Sequence, residues 1–275
     1  MITRFAPSPT GRLHRGHAFS ALTAFTAARE AGGRFLLRIE DTDAARCRPE
    51  YEAAIYEDLA WLGLAWEEPV RRQSEHSRLY EAALATLRDR DLLYRCFRTR
   101  REIAEAALAA PHGPETPFRG EALPPGEEAE RLAAGRPHCW RLSLDRARRE
   151  LGGFDSLIFE VEGEGAIRAE PERIGDIVVA RKDVGVAYHL ASVLDDGLQA
   201  VTHVIRGEDL GDAPHIQRLL QALLGLPTPV YRHHRLILDA DGERLAKRRG
   251  GETLGDLRAA GVTGAELRSR LGFGW

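Results

Sequence analysis

Arg4-Phe5-Ala6-Pro7-Ser8-Pro9-Thr10-Gly11-Arg12-Leu13-His14-Arg15-Gly16-His17 is the stretch on which the fold turns. Ile2–Ala6 reads as a short strand. Pro7 to Gly11 cannot prolong it, because two prolines remove backbone donors and glycine favours a turn. Phe19, Leu22, Phe25 and Thr26 then recur at helical spacing to about Arg29, and Gly32-Gly33 ends that helix. Phe35–Ile39 is a second strand. A strand, a helix and a strand over so short a length form a βαβ unit, which implies a parallel sheet.

Outward from that unit, Pro49 opens a helix through Leu62, with Ile55, Leu59 and Leu62 on one face. Ser77 caps a further helix to about Arg90. The stretch 92–150 carries Pro111, Pro114, Pro117, Pro124, Pro125 and Pro137 with glycines between them, and reads as an inserted subdomain over roughly 96–140. Strands follow at Phe154–Val161, Ile177–Ala180 and Val201–Ile205. Tyr188–Leu194 is a short helix, and another runs through Leu224. Val230–Leu238 with the Asp241-Gly242 turn reads as a strand and hairpin, and the last 25 residues as two short helices. The expected division is 1–95 and 141–238 as two halves of one catalytic domain, 96–140 as the insert, and 239–275 as a loop with a helical tail.

The composition narrows the class. With 275 residues, 43% of them hydrophobic, the chain builds a packed core. No apolar run of about 18 residues is present, so no transmembrane helix and no membrane partner are expected. The N-terminus lacks a signal-peptide core. Cys47, Cys96 and Cys139 form an odd, sparse set, which points to a reducing compartment, the cytoplasm. A net charge of −3 excludes a histone-like or polybasic protein, but leaves room for a local basic surface that binds nucleic acid. Arg88, Arg90, Arg95, Arg98, Arg100 and Arg101 could form one, or could pair with Asp89, Asp91 and Glu102. A monomer is expected.

Two constellations carry chemistry. His14 and His17 stand three apart at the start of a helix that follows a strand, where free N–H groups and the helix dipole favour a phosphate. Both rings can donate to phosphate oxygens, and Gly16 lets a ligand approach the backbone. The alternative is two ordinary loop histidines. Near the other end, Arg244-Leu245-Ala246-Lys247-Arg248 supplies cations suited to redistributing phosphate charge, or else a solvated basic hairpin.

His-x-Gly-His at this place resembles the HIGH signature of class I aminoacyl-tRNA synthetases. Arg4 to Gly11 resembles the opening of the glutamyl-tRNA synthetases. Arg38-Ile39-Glu40-Asp41-Thr42-Asp43, Tyr188-His189-Leu190-Ala191, Asp195-Asp196 and Arg206-Gly207-Glu208-Asp209-Leu210 continue the likeness in order. Residues 244–248 resemble the KMSKS loop, with Lys247 at its second lysine, but with Arg, Ala and Arg at three other positions. The resemblance covers roughly 1–95 and 175–250. It implies an α/β fold with a Rossmann-like parallel sheet, an inserted acceptor-type subdomain and a short helical C-terminal portion.

The resemblance also implies roles. Glutamate would be held by Arg4, Phe5, Ala6, Pro7, Ser8, Glu40, Tyr188 and Arg206. Arg4 and Arg206 would meet its carboxylates, Glu40 its ammonium group, and Tyr188 and Ser8 would hydrogen-bond it. Arg206 could instead pair with Glu208 or Asp209. ATP, accompanied by Mg²⁺, would be held by His14, Gly16, His17 and Lys247, with His14, His17 and Lys247 as the catalytic set. Only 27 residues follow Arg248, too few for an anticodon-binding domain. The chain therefore resembles the stand-alone glutamyl-Q tRNA(Asp) synthetase family. That family activates glutamate with ATP without tRNA and transfers it to queuosine in the anticodon of tRNA(Asp). The alternatives are a minimal glutamyl-tRNA synthetase that charges a 3′ end, and a non-catalytic paralogue that binds nucleotide or RNA. Family members commonly bind zinc in the insert through Cys-x-Cys, a Tyr and a later Cys. Here Cys96 matches the first ligand, Arg98 replaces the second, and His112, His138 and Cys139 have no fitting spacing. No zinc is expected, and Cys96 is expected to be a buried structural residue. Replacing Lys247 by alanine should cripple glutamate-dependent ATP–pyrophosphate exchange while leaving the circular dichroism spectrum and thermal midpoint unchanged. Intact exchange would remove Lys247 from the reaction.

Overall fold

The computed structural model describes residues 1–99, 101–103, 117–181, 185–237 and 252–275. The chain opens with β1 (Ile2–Phe5), α1 (Arg15–Glu30), β2 (Arg34–Ile39), α2 (Pro49–Trp61), β3 (Glu67–Arg72) and α3 (Ser77–Asp89). β1, β2 and β3 pair in parallel, with Arg4 opposite Leu36 and Ile39 opposite Arg72. The βαβ expectation holds. α1 packs close to the sheet because it buries mainly alanines, Ala18, Ala21, Ala24, Ala27 and Ala28 among them. β2 alternates strictly. Phe35, Leu37 and Ile39 enter one core with Leu22, Ile55 and Leu59, whereas Leu36 joins the other core with Val193 and Leu220.

The second half adds β4 (Leu93–Cys96), α4 (Pro125–Ala133), β5 (Cys139–Leu142), α5 (Leu144–Leu151), β6 (Ile158–Val161), β7 (Gly165–Arg168), β8 (Val178–Arg181), β9 (Gly185–Val186), α6 (Tyr188–Leu198), β10 (His203–Gly207), α7 (Ala213–Leu224) and β11 (Val230–His234). β10 runs parallel to β11, and β11 to β6, with β7 antiparallel at the edge. The Thr202 N–H donates to the Ile2 carbonyl at 3.0 Å, which sets β10 beside β1. The strand order reverses there, with the crossover through α1 on one side of β1 and β10 on the other. Open α/β sheets bind ligands at such a reversal, outside the carboxyl ends of the strands. A separate antiparallel sheet, β4-β5-β8-β9, carries the 97–138 segment between its first two strands.

Several expectations need correction. β11 ends at His234, short of the expected Leu238, and pairs in parallel with β10 and β6; Leu238, Asp241 and Gly242, where the hairpin was expected, lie outside the described residues. Of Phe154–Val161 only the last four residues are strand, because Leu157 N–H closes a turn onto the Phe154 carbonyl. Ser77 is the first helical residue rather than the cap, and His76 precedes it without a capping bond. β3 was not anticipated, since Glu67-Glu68-Pro69 does not read as strand. It lies at the sheet edge, where proline is tolerated. Among the described residues, no helix is long and apolar enough to cross a membrane.

The tail folds back as α8 (Leu254–Ala259) and α9 (Gly264–Arg270), each opened by a reciprocal cap, Thr253 with Asp256 and Thr263 with Glu266. Arg258 bonds the buried Asp58 at 3.1 Å and Arg268 the Leu62 carbonyl at 2.8 Å. Leu254 N–H reaches the Leu13 carbonyl at 2.9 Å, and Thr253 bridges His14, so the tail meets the loop that precedes α1. Gly264 marks the tightest contact, because a Cβ there would stand 1.9 Å from the Trp61 carbonyl oxygen. Gly264→Ala should therefore lower stability by about 1–3 kcal/mol through overpacking. Gly126→Ala in α4, where a Cβ meets nothing within 4 Å, should leave it unchanged. Urea denaturation of both variants checks the contrast.

Candidate active site

The first turn of α1 is organised by its own histidines. His14 is the N-cap, and its Nδ1 accepts the Gly16 N–H at 3.1 Å. Nδ1 of His17 accepts the His14 N–H at 3.2 Å, completing a reciprocal capping box built from imidazoles. The rings lie 3.8 Å apart between centroids. Because each Nδ1 is an acceptor, the proton of each neutral ring sits on Nε2. Each ring thus carries its N–H on the nitrogen opposite the cap. Gly16 is needed for the cap itself: a Cβ there would stand 3.0 Å from Cε1 of His14. His14, Gly16 and His17 line a cavity of about 200 Å³ with Phe5, Gly207 and His234 at the ends of β1, β10 and β11. A helix N-terminus with two imidazole donors suits an anion such as a phosphate.

Behind the neighbouring cavity lies a buried charge network. Asp196 on α6 accepts Arg4 Nε at 3.0 Å and Arg38 Nη1 at 2.7 Å. Asp195 accepts Arg71 Nε at 2.7 Å, Gln73 Nε2 at 2.8 Å and the Tyr80 hydroxyl at 2.9 Å. Arg38, fully buried, also reaches Glu40 at 3.2 Å. Burial pushes the Asp196 carboxyl up, but Arg4 and Arg38 outweigh it and hold the group below the usual carboxylate range. For Glu40 burial wins over Arg38 and Arg4, and its carboxyl is raised.

Three arginines thus face three carboxylates, and Arg206 is a fourth cation beside them. It is 5% exposed, yet Nε, Nη1 and Nη2 have no hydrogen-bond partner among the described residues. It pairs with neither Glu208 nor Asp209, and its guanidinium stands 5.3 Å from the Tyr231 ring centroid. His189 is kept neutral, pushed down to about 4 by burial and by Arg206. His189 lines a second cavity of about 490 Å³ with Ser8, Thr10, Glu40, Gln73 and Tyr188.

The profile of tRNA synthetases class I (E and Q), catalytic domain, matches residues 1–269. The chain belongs to this family. A glutamyl-Q tRNA(Asp) synthetase of Rhodobacter capsulatus is 48% identical to it, over 99% of this chain and 100% of the relative. One from Nocardia farcinica is 44% identical, over 98% and 82%. A solved glutamate-tRNA synthetase of Elizabethkingia anophelis superposes with a TM-score of 0.75 at 29% identity, over 92% of this chain and 54% of that one. The chain therefore spans about half the length of that solved synthetase.

Within this member of the class I E-and-Q family, the sequence-expected residues fall into two groups. His14, Gly16, His17 and Phe5 line the smaller cavity; Ser8, Glu40 and Tyr188 line the larger. Ala6 and Pro7 form the strand exit between them, where the Pro7 carbonyl accepts the Glu40 N–H at 3.0 Å. Arg4 is committed to Asp196, leaving Arg206 as the unpartnered cation. Lys247 lies outside the described residues. Sequence reasoning missed Arg38, Arg71, Gln73 and Tyr80. Arg38 alone gave a signal, being charged between Leu37 and Ile39 in an otherwise apolar strand.

Three arginines of the strip form ion pairs, one of them with an expected acid. Arg90 meets Glu150 and Arg95 meets Glu128, while Arg88 does meet Asp89. Arg100 lies outside the described residues. Cys96 is buried, as expected, and stands opposite Cys139. Among the described residues, no three His, Cys, Asp or Glu side chains are grouped to hold a metal; His112 is not described.

Asp196→Asn leaves two buried guanidinium groups short of charge and should destabilise the fold by about 3–5 kcal/mol near neutral pH. Because the folded-state value of Asp196 is depressed, its contribution is present above the ordinary carboxylate range and fades as pH falls through the folded value. The wild-type advantage in urea should therefore shrink as the pH falls below the ordinary carboxylate range.

Proposed function

We propose that this chain activates L-glutamate with ATP, without tRNA, and transfers it to the queuosine of tRNA(Asp). The observation that carries the substrate choice is Arg206, a buried guanidinium left without an anion beside an otherwise balanced network. A dicarboxylic amino acid supplies that anion. Similarity to glutamyl-Q tRNA(Asp) synthetases over nearly their whole length supports the acceptor.

In this reading the side-chain carboxylate meets Arg206, with Arg4 held behind it by Asp196. The ammonium group meets Glu40, and Ser8, Tyr188 and the Phe5-Ala6-Pro7 turn close the amino-acid pocket. The α-carboxylate then faces the ATP cavity and attacks the α-phosphorus, giving glutamyl-adenylate and pyrophosphate. His14 and His17 offer their Nε2–H groups, and α1 its N-terminal dipole, to the phosphate oxygens as charge shifts. No protein nucleophile is needed. Lys247 would add a cation to the leaving pyrophosphate. Mg²⁺ would come with ATP, held chiefly by phosphates and water. A hydroxyl of the queuosine nucleoside then attacks the glutamyl carbonyl and releases AMP. We also propose the division at 96–140 and a monomeric, cytoplasmic enzyme.

Labelled glutamate should appear on tRNA(Asp) that carries queuosine, and not on queuosine-free tRNA(Asp) or on tRNA(Glu). Label on tRNA(Glu) would make this a minimal conventional synthetase, and absence of pyrophosphate exchange would make it a binding protein. Arg206→Met should raise the KM for glutamate in pyrophosphate exchange about 10- to 100-fold with little change for ATP, as expected for loss of one charged pair. The raised carboxyl of Glu40 sets the pH dependence. The ammonium group binds the ionised form, so glutamate affinity should climb as pH rises through the Glu40 value, and Glu40→Gln should flatten that rise.

A further inference from the structure

Cys96 closes β4, Cys139 opens β5, and the two are direct partners in the antiparallel register. The 42 residues between them leave and re-enter the sheet through this one pair. Partnered residues on antiparallel strands have Cα atoms about 4.5–5.5 Å apart, inside the roughly 4.4–6.8 Å that a disulfide spans. Sγ of Cys139 lies 3.6 Å from the Cys96 carbonyl oxygen, so the thiol already points across the ladder. Both cysteines are free thiols. Cys96 also lines a cavity of about 540 Å³ together with Arg95, Arg98, Arg119 and Arg131.

We propose that Cys96 and Cys139 are a reversible dithiol–disulfide pair at the neck of the insert, oxidised by a hydroperoxide and reduced by a dithiol. The Cys96 thiolate attacks one peroxide oxygen. The O–O bond breaks, the other oxygen leaves as hydroxide or alkoxide and takes up a proton, and Cys96 becomes a sulfenic acid. The Cys139 thiolate attacks that sulfur, the S–O bond breaks, and water leaves with the proton that Cys139 gave up. In sum, two thiols and one hydroperoxide give one disulfide, one alcohol or water, and one water. The bond closes residues 97–138 into a covalent loop and restricts its freedom. Neither the histidine cavity nor the Arg206 site takes part.

The test uses the full chain with Cys47→Ser, so that these two are its only thiols. One equivalent of hydrogen peroxide should remove both from thiol titration and lower the intact mass by two hydrogens. A non-reducing peptide map should join the Cys96 and Cys139 peptides, and dithiothreitol should reverse all three changes. In the unsubstituted chain the titre should fall from three thiols to one. Trypsin should cut within 97–138 more slowly in the oxidised form. With Cys139→Ser added, which keeps the shape of the side chain, Cys96 should gain oxygen and no link should form. Gain of oxygen on both sulfurs without a joined peptide would overturn the proposal. So would links formed only between chains, or one zinc per reduced chain that protects both thiols.

Discussion

Two adjacent carboxylates, Asp195 and Asp196, hold the catalytic half together. They sit in the C-terminal half of α6, and Arg38 lies within reach of both. Asp196 takes Arg4 from β1 and Arg38 from β2. Asp195 takes Arg71 from β3, Gln73 beyond it and Tyr80 from α3. Five elements far apart in sequence are therefore fixed in register by charge rather than by apolar packing alone. Taking these five charged groups largely out of water carries a large desolvation penalty, offset only when each partner is in place. Such a network specifies one arrangement and tolerates few near misses. Beside it lies Arg206, a buried cation without a hydrogen-bond partner among the described residues.

The histidine turn follows the same logic on a smaller scale. Serine and glutamate usually make the reciprocal cap that begins a helix, as they do with Thr263 and Glu266 in α9. At α1 two imidazoles do so, each giving up an acceptor and keeping a donor. The cap thereby selects the tautomer that can donate to an anion. Structure and chemistry share one set of atoms, so neither ring can change without disturbing the start of α1. The tail adds a second constraint there, through Leu254 on Leu13 and Thr253 on His14.

Much of this was legible in the sequence. The βαβ unit and the histidine turn that opens α1 could be read because proline, glycine and histidine occur where backbone geometry leaves few alternatives. Glu40 and Tyr188 could be placed because they fall at the ends of elements. The pairing of Arg4 with Asp196 could not, since it joins residues 192 apart. Arg38 gave a local hint, being charged within an apolar strand, but no periodicity names its partners. β3 was invisible for a related reason: an edge strand is made by its neighbour, and its own composition argued against it. The strand at Val230 was expected to run to Leu238, but it ends at His234 and pairs with the earlier strands β10 and β6, and a strand run does not say which neighbour it pairs with.

The neck of the insert has a consequence for how this architecture can diversify. The chain departs at Cys96 and resumes at Cys139 on adjacent strands of a sheet separate from the catalytic one. A segment with neighbouring ends can be lengthened, pruned or exchanged without moving the strands that bear it. Drift is therefore cheap between those two positions and expensive on either side. New surfaces can therefore be grafted between these two positions while the cavities at the strand ends of the parallel sheet keep their own, stricter constraints.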